Sequence, residues 1–149
     1  MRGFVENIED MTTENGNFRH VLYTGSYLQL VVMSLKAGQD IGDEVHPGHD
    51  QFFRIEKGKG RIVIDGKSRK VEAGGAIVVP AGARHNLINT GKKALKLYTL
   101  YGPPNHLDQL VQATKSEAVS SQEKFAGVTT ESKHNGKSRK SVTALTPPM

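Results

Sequence analysis

The chain has 149 residues, 36% of them apolar and 23% charged, with a net charge of +5. That is enough apolar material for one core, and the length suits one compact domain. Cysteine is absent, which excludes disulfides, thiolate metal sites and cysteine nucleophiles, so any metal must be held by nitrogen and oxygen.

The first segment, 1–17, is acidic and has no apolar run of the kind a signal peptide needs. Nowhere does the chain approach the ~18 consecutive apolar residues of a membrane span. A cytoplasmic protein with an N-terminal arm and no membrane partner is expected. The basic excess elsewhere comes without an aromatic-basic motif, so nucleic acid is not an expected partner either.

From Tyr27 to Leu35, "YLQLVVMSL" is rich in β-branched and large apolar residues and is closed by "KAG", the pattern of a strand. "QFFRIEKG" follows, with Gln51, Phe53 and Ile55 on one face and Phe52, Arg54 and Glu56 on the other. "RIVIDGKSRKV" reads as two strands joined at Asp65-Gly66, a dipeptide that supplies the positive φ angles of a tight hairpin. "AIVVP", "HNLIN" and "ALKLYTLY" add three more strands, each bounded by Gly, Pro or Asn. Short strands at this spacing, with no helical period from Val21 to Tyr101, predict an all-β sandwich or small barrel. Beyond "GPP", Leu107, Leu110, Val111 and Ala118 recur at roughly helical spacing, which predicts a helix over 105–125. The remainder, 126–149, is basic and poor in large apolar residues, the composition of a disordered tail.

"IGDEVHPGHDQFF" gathers Glu44, His46, His49 and Gln51 into eight positions. Glu44 and His46 are two apart, so an extended segment points both to one side. The Pro47-Gly48 turn then lets the strand carrying Gln51 return beside them, while His85 comes from a second segment just after a turn at Pro80 and Gly82. Two imidazoles, a carboxylate and an amide oxygen form a set suited to a divalent first-row metal; Glu44, His46 and His85 alone give a two-histidine, one-carboxylate arrangement with open positions. The same residues can also be read as solvated loop side chains and half of a surface ion pair.

The two segments resemble the paired motifs of the cupin superfamily. The second motif, G-x5-P-x-G-x2-H-x3-N, is met by Gly74, Pro80, Gly82, His85 and Asn89. The first, G-x5-H-x-H-x3-4-E-x6-G, is met in part: Glu44 stands at the first His, His46 at the second, Gln51 at the Glu, and Gly58 closes it. The paired exchange keeps the ligand set at a charge of −1. The resemblance implies a single small β-barrel of the double-stranded β-helix or jelly-roll type over 18–104, with one divalent ion (Mn, Fe, Ni, Co or Zn) held by Glu44, His46, Gln51 and His85. His49 falls outside the pattern and is expected at the rim, and Phe53 and Leu87 are expected in the core. Arg54 and Arg84 are expected to be solvated charges.

Cupins of this size include dioxygenases, sugar and sugar-phosphate isomerases, and lyases. The resemblance therefore implies a metal-dependent enzyme acting on a small carbonyl, sugar or carboxylate compound, and leaves open a non-catalytic module that binds or senses a small ligand or metal. A homodimer is expected, because outer strands often pair in such barrels.

Overall fold

The computed structural model describes residues 1–135. Helix α1 (Ile8–Glu14) starts at Asn7, whose side chain accepts the N–H of Asp10 and so satisfies one otherwise orphaned donor. Nine strands follow: β1 (Arg19–Thr24), β2 (Gln29–Leu35), β3 (Glu44–Val45), β4 (Asp50–Lys57), β5 (Lys59–Ile64), β6 (Lys67–Glu72), β7 (Ala76–Val79), β8 (Arg84–Asn89) and β9 (Leu95–Gly102). A short β10 (Val111–Gln112) precedes α2 (Lys115–Ser120) and α3 (Thr130–Asn135). No helix among the described residues is long and apolar enough to cross a membrane.

All strand pairs are antiparallel. One sheet has the order β10-β1-β2-β9-β4-β7 and the other β3-β8-β5-β6. The two sheets face each other across a core of Val21, Val31, Met33, Leu35, Phe53, Ile55, Ile62, Leu87, Leu95 and Leu97, all at most 3% exposed. Alternation explains the selection: in β4, Gln51, Phe53 and Ile55 are buried while Phe52, Arg54 and Glu56 are not. Burying Phe53 alone stabilises the fold by about 2–3 kcal/mol. The β5–β6 hairpin turns at Asp65 (φ 47°) and Gly66 (φ 83°), as the dipeptide predicts.

The region after the barrel differs from its expectation. Only Lys115–Ser120 of the segment 105–125 is helical. Val111 and Gln112 instead extend the six-stranded sheet by pairing with His20 and Arg19. The free edge of β1 offers these residues hydrogen bonds that a weakly amphipathic helix cannot match, and Thr114 then caps α2 by accepting the N–H of Glu117. Leu110 and Ala118, part of the apolar pattern behind that expectation, do pack on the core.

The first part of the expected tail is structured as well. Thr130 accepts the N–H of Thr24 at 2.8 Å and donates to Asp108 at 2.7 Å. Glu131 accepts the N–H of Gly3 at 2.8 Å and the hydroxyl of Tyr23 at 2.7 Å, lacing this segment to the N-terminal arm and β1. The rest of the expected tail, 136–149, lies outside the described residues.

Candidate metal centre

Glu44 and His85 are register partners between β3 and β8. His46 follows two residues after Glu44, and its carbonyl accepts the N–H of Gly82, which ties the first motif to the turn ahead of His85. One ligand atom from each of Glu44, His46 and His85 lies within 4.8 Å of the others. These three therefore form a group able to hold a metal ion. Glu44 Oε1 and His46 Nε2 are 3.1 Å apart. Burial acts to raise the carboxyl of Glu44, but the hydrogen bond and charge of His46, with the charges of Arg19 and His85, outweigh it and hold the group below the usual carboxylate range.

His85 is 2% exposed. Its Nδ1 lies 3.1 Å from the carbonyl oxygen of Ala83, which can only accept a hydrogen bond. Its Nε2 lies 3.2 Å from Oε1 of Gln51, also an acceptor, while the amide nitrogen of Gln51 donates to Thr99 at 3.0 Å. A neutral imidazole has one N–H and satisfies one of these two oxygens; the other needs a second proton or a cation beside it. The donor set and this opposition fit a bound divalent ion.

Outside this group stands a set of residues absent from the sequence expectation. The hydroxyl of Tyr101 donates to Nε2 of His106 at 3.2 Å, and His106 Nδ1–H donates to Oε2 of Glu123 at 2.6 Å. The other oxygen of Glu123 accepts the N–H of Leu107. Buried Gln29 fixes this geometry: its Oε1 accepts the N–H groups of Asn105 and His106, and its Nε2 donates to the His106 carbonyl and the Thr24 hydroxyl. Tyr101 is 1% exposed, and burial pushes its phenol up to about 12, so it remains neutral. Burial also pushes His106 down, against the opposing pull of Glu123. The one legible signal was a histidine two residues after "GPP", in a segment whose apolar spacing pointed to a helix.

His49 is at the rim. Its Nδ1–H donates to the Pro103 carbonyl at 2.7 Å, and its ring centroid is 5.8 Å from that of His46. Phe53 and Leu87 are fully buried. Arg54 and Arg84 are away from the centre, with side chains 40% and 63% exposed, near Glu56 and Asp43 respectively.

A family profile described as Cupin domain matches residues 31–101. A solved structure from Bacillus halodurans, the BH2720 protein, is 44% identical and superposes with a TM-score of 0.79 over 80% of this chain and 96% of that one. The chain belongs to the cupin superfamily. This cupin is also 50% identical over 127 residues to the uncharacterized protein YrkC of Bacillus subtilis, covering 80% of this chain and 68% of YrkC. A more distant relative of the cupin is named polyketide synthase CurC, from Streptomyces cyaneus, and is 23% identical over 99 residues, 62% of this chain and 63% of that one.

Proposed function

We propose that this cupin is a metal-dependent enzyme that transforms a small oxygen-bearing molecule, with Glu44, His46 and His85 holding one divalent ion and the oxygen of Gln51 within reach of it. The observation that carries the reading is the convergence of ligand atoms of Glu44, His46 and His85 to within 4.8 Å of one another, with Nε2 of His85 3.2 Å from Oε1 of Gln51. A bound Mn, Fe, Ni, Co or Zn ion supplies Lewis acidity to an oxygen atom of the ligand. Glu44 contributes the compensating negative charge, and Ala83 orients His85 through its carbonyl. Tyr101, held neutral and bonded to His106, sets an uncharged ring against His46 and His49. His49, at the rim beside His46, is placed to pass a proton between the centre and water. That one relative bears an enzyme name supports the enzymatic reading.

The reading includes a cytoplasmic homodimer. Val78 on edge strand β7 and Val111 on edge strand β10 are 66% and 50% exposed, apolar positions suited to strand pairing between copies.

Elemental analysis of protein purified without chelator, beside His46→Ala and His85→Ala, tests the site. About one ion per chain, lost in both folded variants, is expected. A chain that neither contains nor takes up any of the five metals sinks the reading. Loaded protein is then screened for oxygen uptake and for turnover of carbonyl compounds, sugar phosphates and carboxylates. Light scattering checks the dimer.

A further inference from the structure

The last strand of each sheet borders one groove. β6 ends the four-stranded sheet and β7 ends the six-stranded one. Both line a cavity of about 980 Å³ whose walls include none of Glu44, His46, Gln51 or His85. At one end the turn at 73–75 joins the two strands, and β4 pins it: the N–H of Gly74 donates to the carbonyl of Ile55, and the N–H of Ile55 to that of Gly75, at 2.8 and 2.9 Å. Ile62 and Ile77, buried, with the partly buried Ile64 and Val71, give the groove an apolar floor.

The charged part of the lining is almost all of one sign. Lys59, Arg61, Lys67, Arg69 and Lys70 border the groove against a single acid, Glu72. Arg61 donates to the neutral hydroxyl of Ser68 at 3.0 Å, and none of the ion pairs among the described residues includes any of these five cations. Register sets where the charges stand. Lys67 and Arg69 are opposite Ile64 and Ile62 and share the inward face of the hairpin, whereas Lys70 is opposite Arg61 on the outward face. The two-residue turn at Asp65-Gly66 closes on the hydrogen-bonded pair of Ile64 and Lys67, so Ser68 and Lys70 turn their backbone N–H and C=O groups to the free edge of β6.

We propose that this groove receives an acidic, extended polypeptide segment of a partner protein, which adds to β6 as an antiparallel strand. Such a strand meets the backbone groups that Ser68 and Lys70 turn outward, and its carboxylates stand across from Lys67, Arg69 and Lys70. Charge selects the partner. A second copy pairing through β6 by two-fold symmetry would set this basic strand against itself, and like charges directly opposite are destabilising. Cations on an edge strand guard it against self-pairing, and the same cations attract a strand of opposite sign. A nucleic acid fits less well, because it leaves the edge of β6 without strand partners and finds no aromatic ring in the lining on which a base could stack. The pairing uses the edge of β6 and leaves that of β7 free.

The probe is the fluorescently labelled peptide Thr-Val-Glu-Glu-Thr-Glu-Thr, whose central residues would face Val71, Lys70, Arg69, Ser68 and Lys67 in turn. Its anisotropy is followed at low salt as full-length protein is added. Wild type is expected to bind it, with affinity about tenfold or more lower in the double variant Lys67→Glu, Arg69→Glu. A similar loss is expected when the peptide is N-methylated at the two residues facing Lys70 and Ser68, since the charges remain while the strand hydrogen bonds are removed. Lys70→Glu carries the test if the double variant fails to fold. No binding by wild type, equal affinity in wild type and the folded variant, or an N-methylated peptide that binds as well as its parent would overturn the proposal. Tighter binding of an oligothymidine than of the peptide would also overturn it, as would a wild-type dimer that the double variant converts to monomer, which would seat a second copy in the groove.

Discussion

The amide oxygen of Gln51 lies 3.2 Å from Nε2 of His85, inside the barrel. A carboxylate at this position would add a charged ligand to a bound ion but place a second buried anion near Glu44 when no ion is present. Gln51→Glu is therefore expected to tighten divalent-metal binding about tenfold or more in chelator competition. Its melting temperature should drop below wild type in EDTA and recover with metal. Identical affinities in the two proteins would place residue 51 outside the coordination sphere.

Acid should unfold this cupin through its partly buried histidine–carboxylate pairs. Burial acts to raise Glu123, yet the hydrogen bond and charge of His106 hold it low, and Glu44 is held low beside His46; His106 itself is pushed down by burial. For all three groups the unfolded chain binds protons more readily than the folded one, so stability falls as pH falls. The histidine contribution is lost from about pH 6.5 downward, and the carboxylate contributions are lost below about pH 4.5. Melting temperature measured from pH 8 to pH 4 should follow this course, with a shallower slope in His106→Gln. A parallel slope in the variant would remove the pair from the account.

Asn89 completes the second motif but does no ligand chemistry. Its amide nitrogen donates to the carbonyls of Leu35 and Lys93, and its Oδ1 accepts the N–H of Gly91, all at 2.8–2.9 Å. It is 1% exposed. Asn89→Ala leaves these backbone groups without partners and should cost about 2–4 kcal/mol in denaturant unfolding. Metal content per folded chain should remain at the wild-type level; a selective loss of metal would give Asn89 a role at the centre.

Glu131 gathers the N–H groups of Arg2 and Gly3 and the hydroxyl of Tyr23 onto one carboxylate, which these donors hold down to about 2. Glu131→Ala should release the N-terminal arm from the segment around Val128. Limited proteolysis should then cleave both stretches faster than in wild type, with the barrel core protected. An unchanged digestion pattern would mean the contact contributes little to order.

What could be read in advance follows from how local each signal is. The barrel strands announced themselves through alternation, as in Gln51-Phe53-Ile55, and Asp65-Gly66 marked its hairpin, because both patterns are set within a few residues. The spacing of Glu44, His46 and His85 carried enough motif to bring them together in expectation. Arg19, His106 and Glu123 carried no such signal. Arg19 meets Gln112 across 93 residues and His106 meets Glu123 across 17, so their pairing exists only once the sheet has been extended by β10. The helix expected over 105–125 was overruled for the same reason: a tertiary strand edge competed with local propensity. The short helix α1 went unmarked because acidic residues and threonines dilute its apolar pattern.

Strand β3 is two residues long and forms one edge of its sheet, yet Glu44 is on it and His46 directly follows it; Gln51 and His85 come instead from strands paired on both sides. Half of the cradle is thus stiff and half compliant. A compliant half can follow ions of different radius with little strain, so the site imposes weak geometric discrimination. On the proposed reading, cellular supply decides which element fills it, and the same polypeptide grown in manganese-rich and zinc-rich media would emerge as two chemically different proteins.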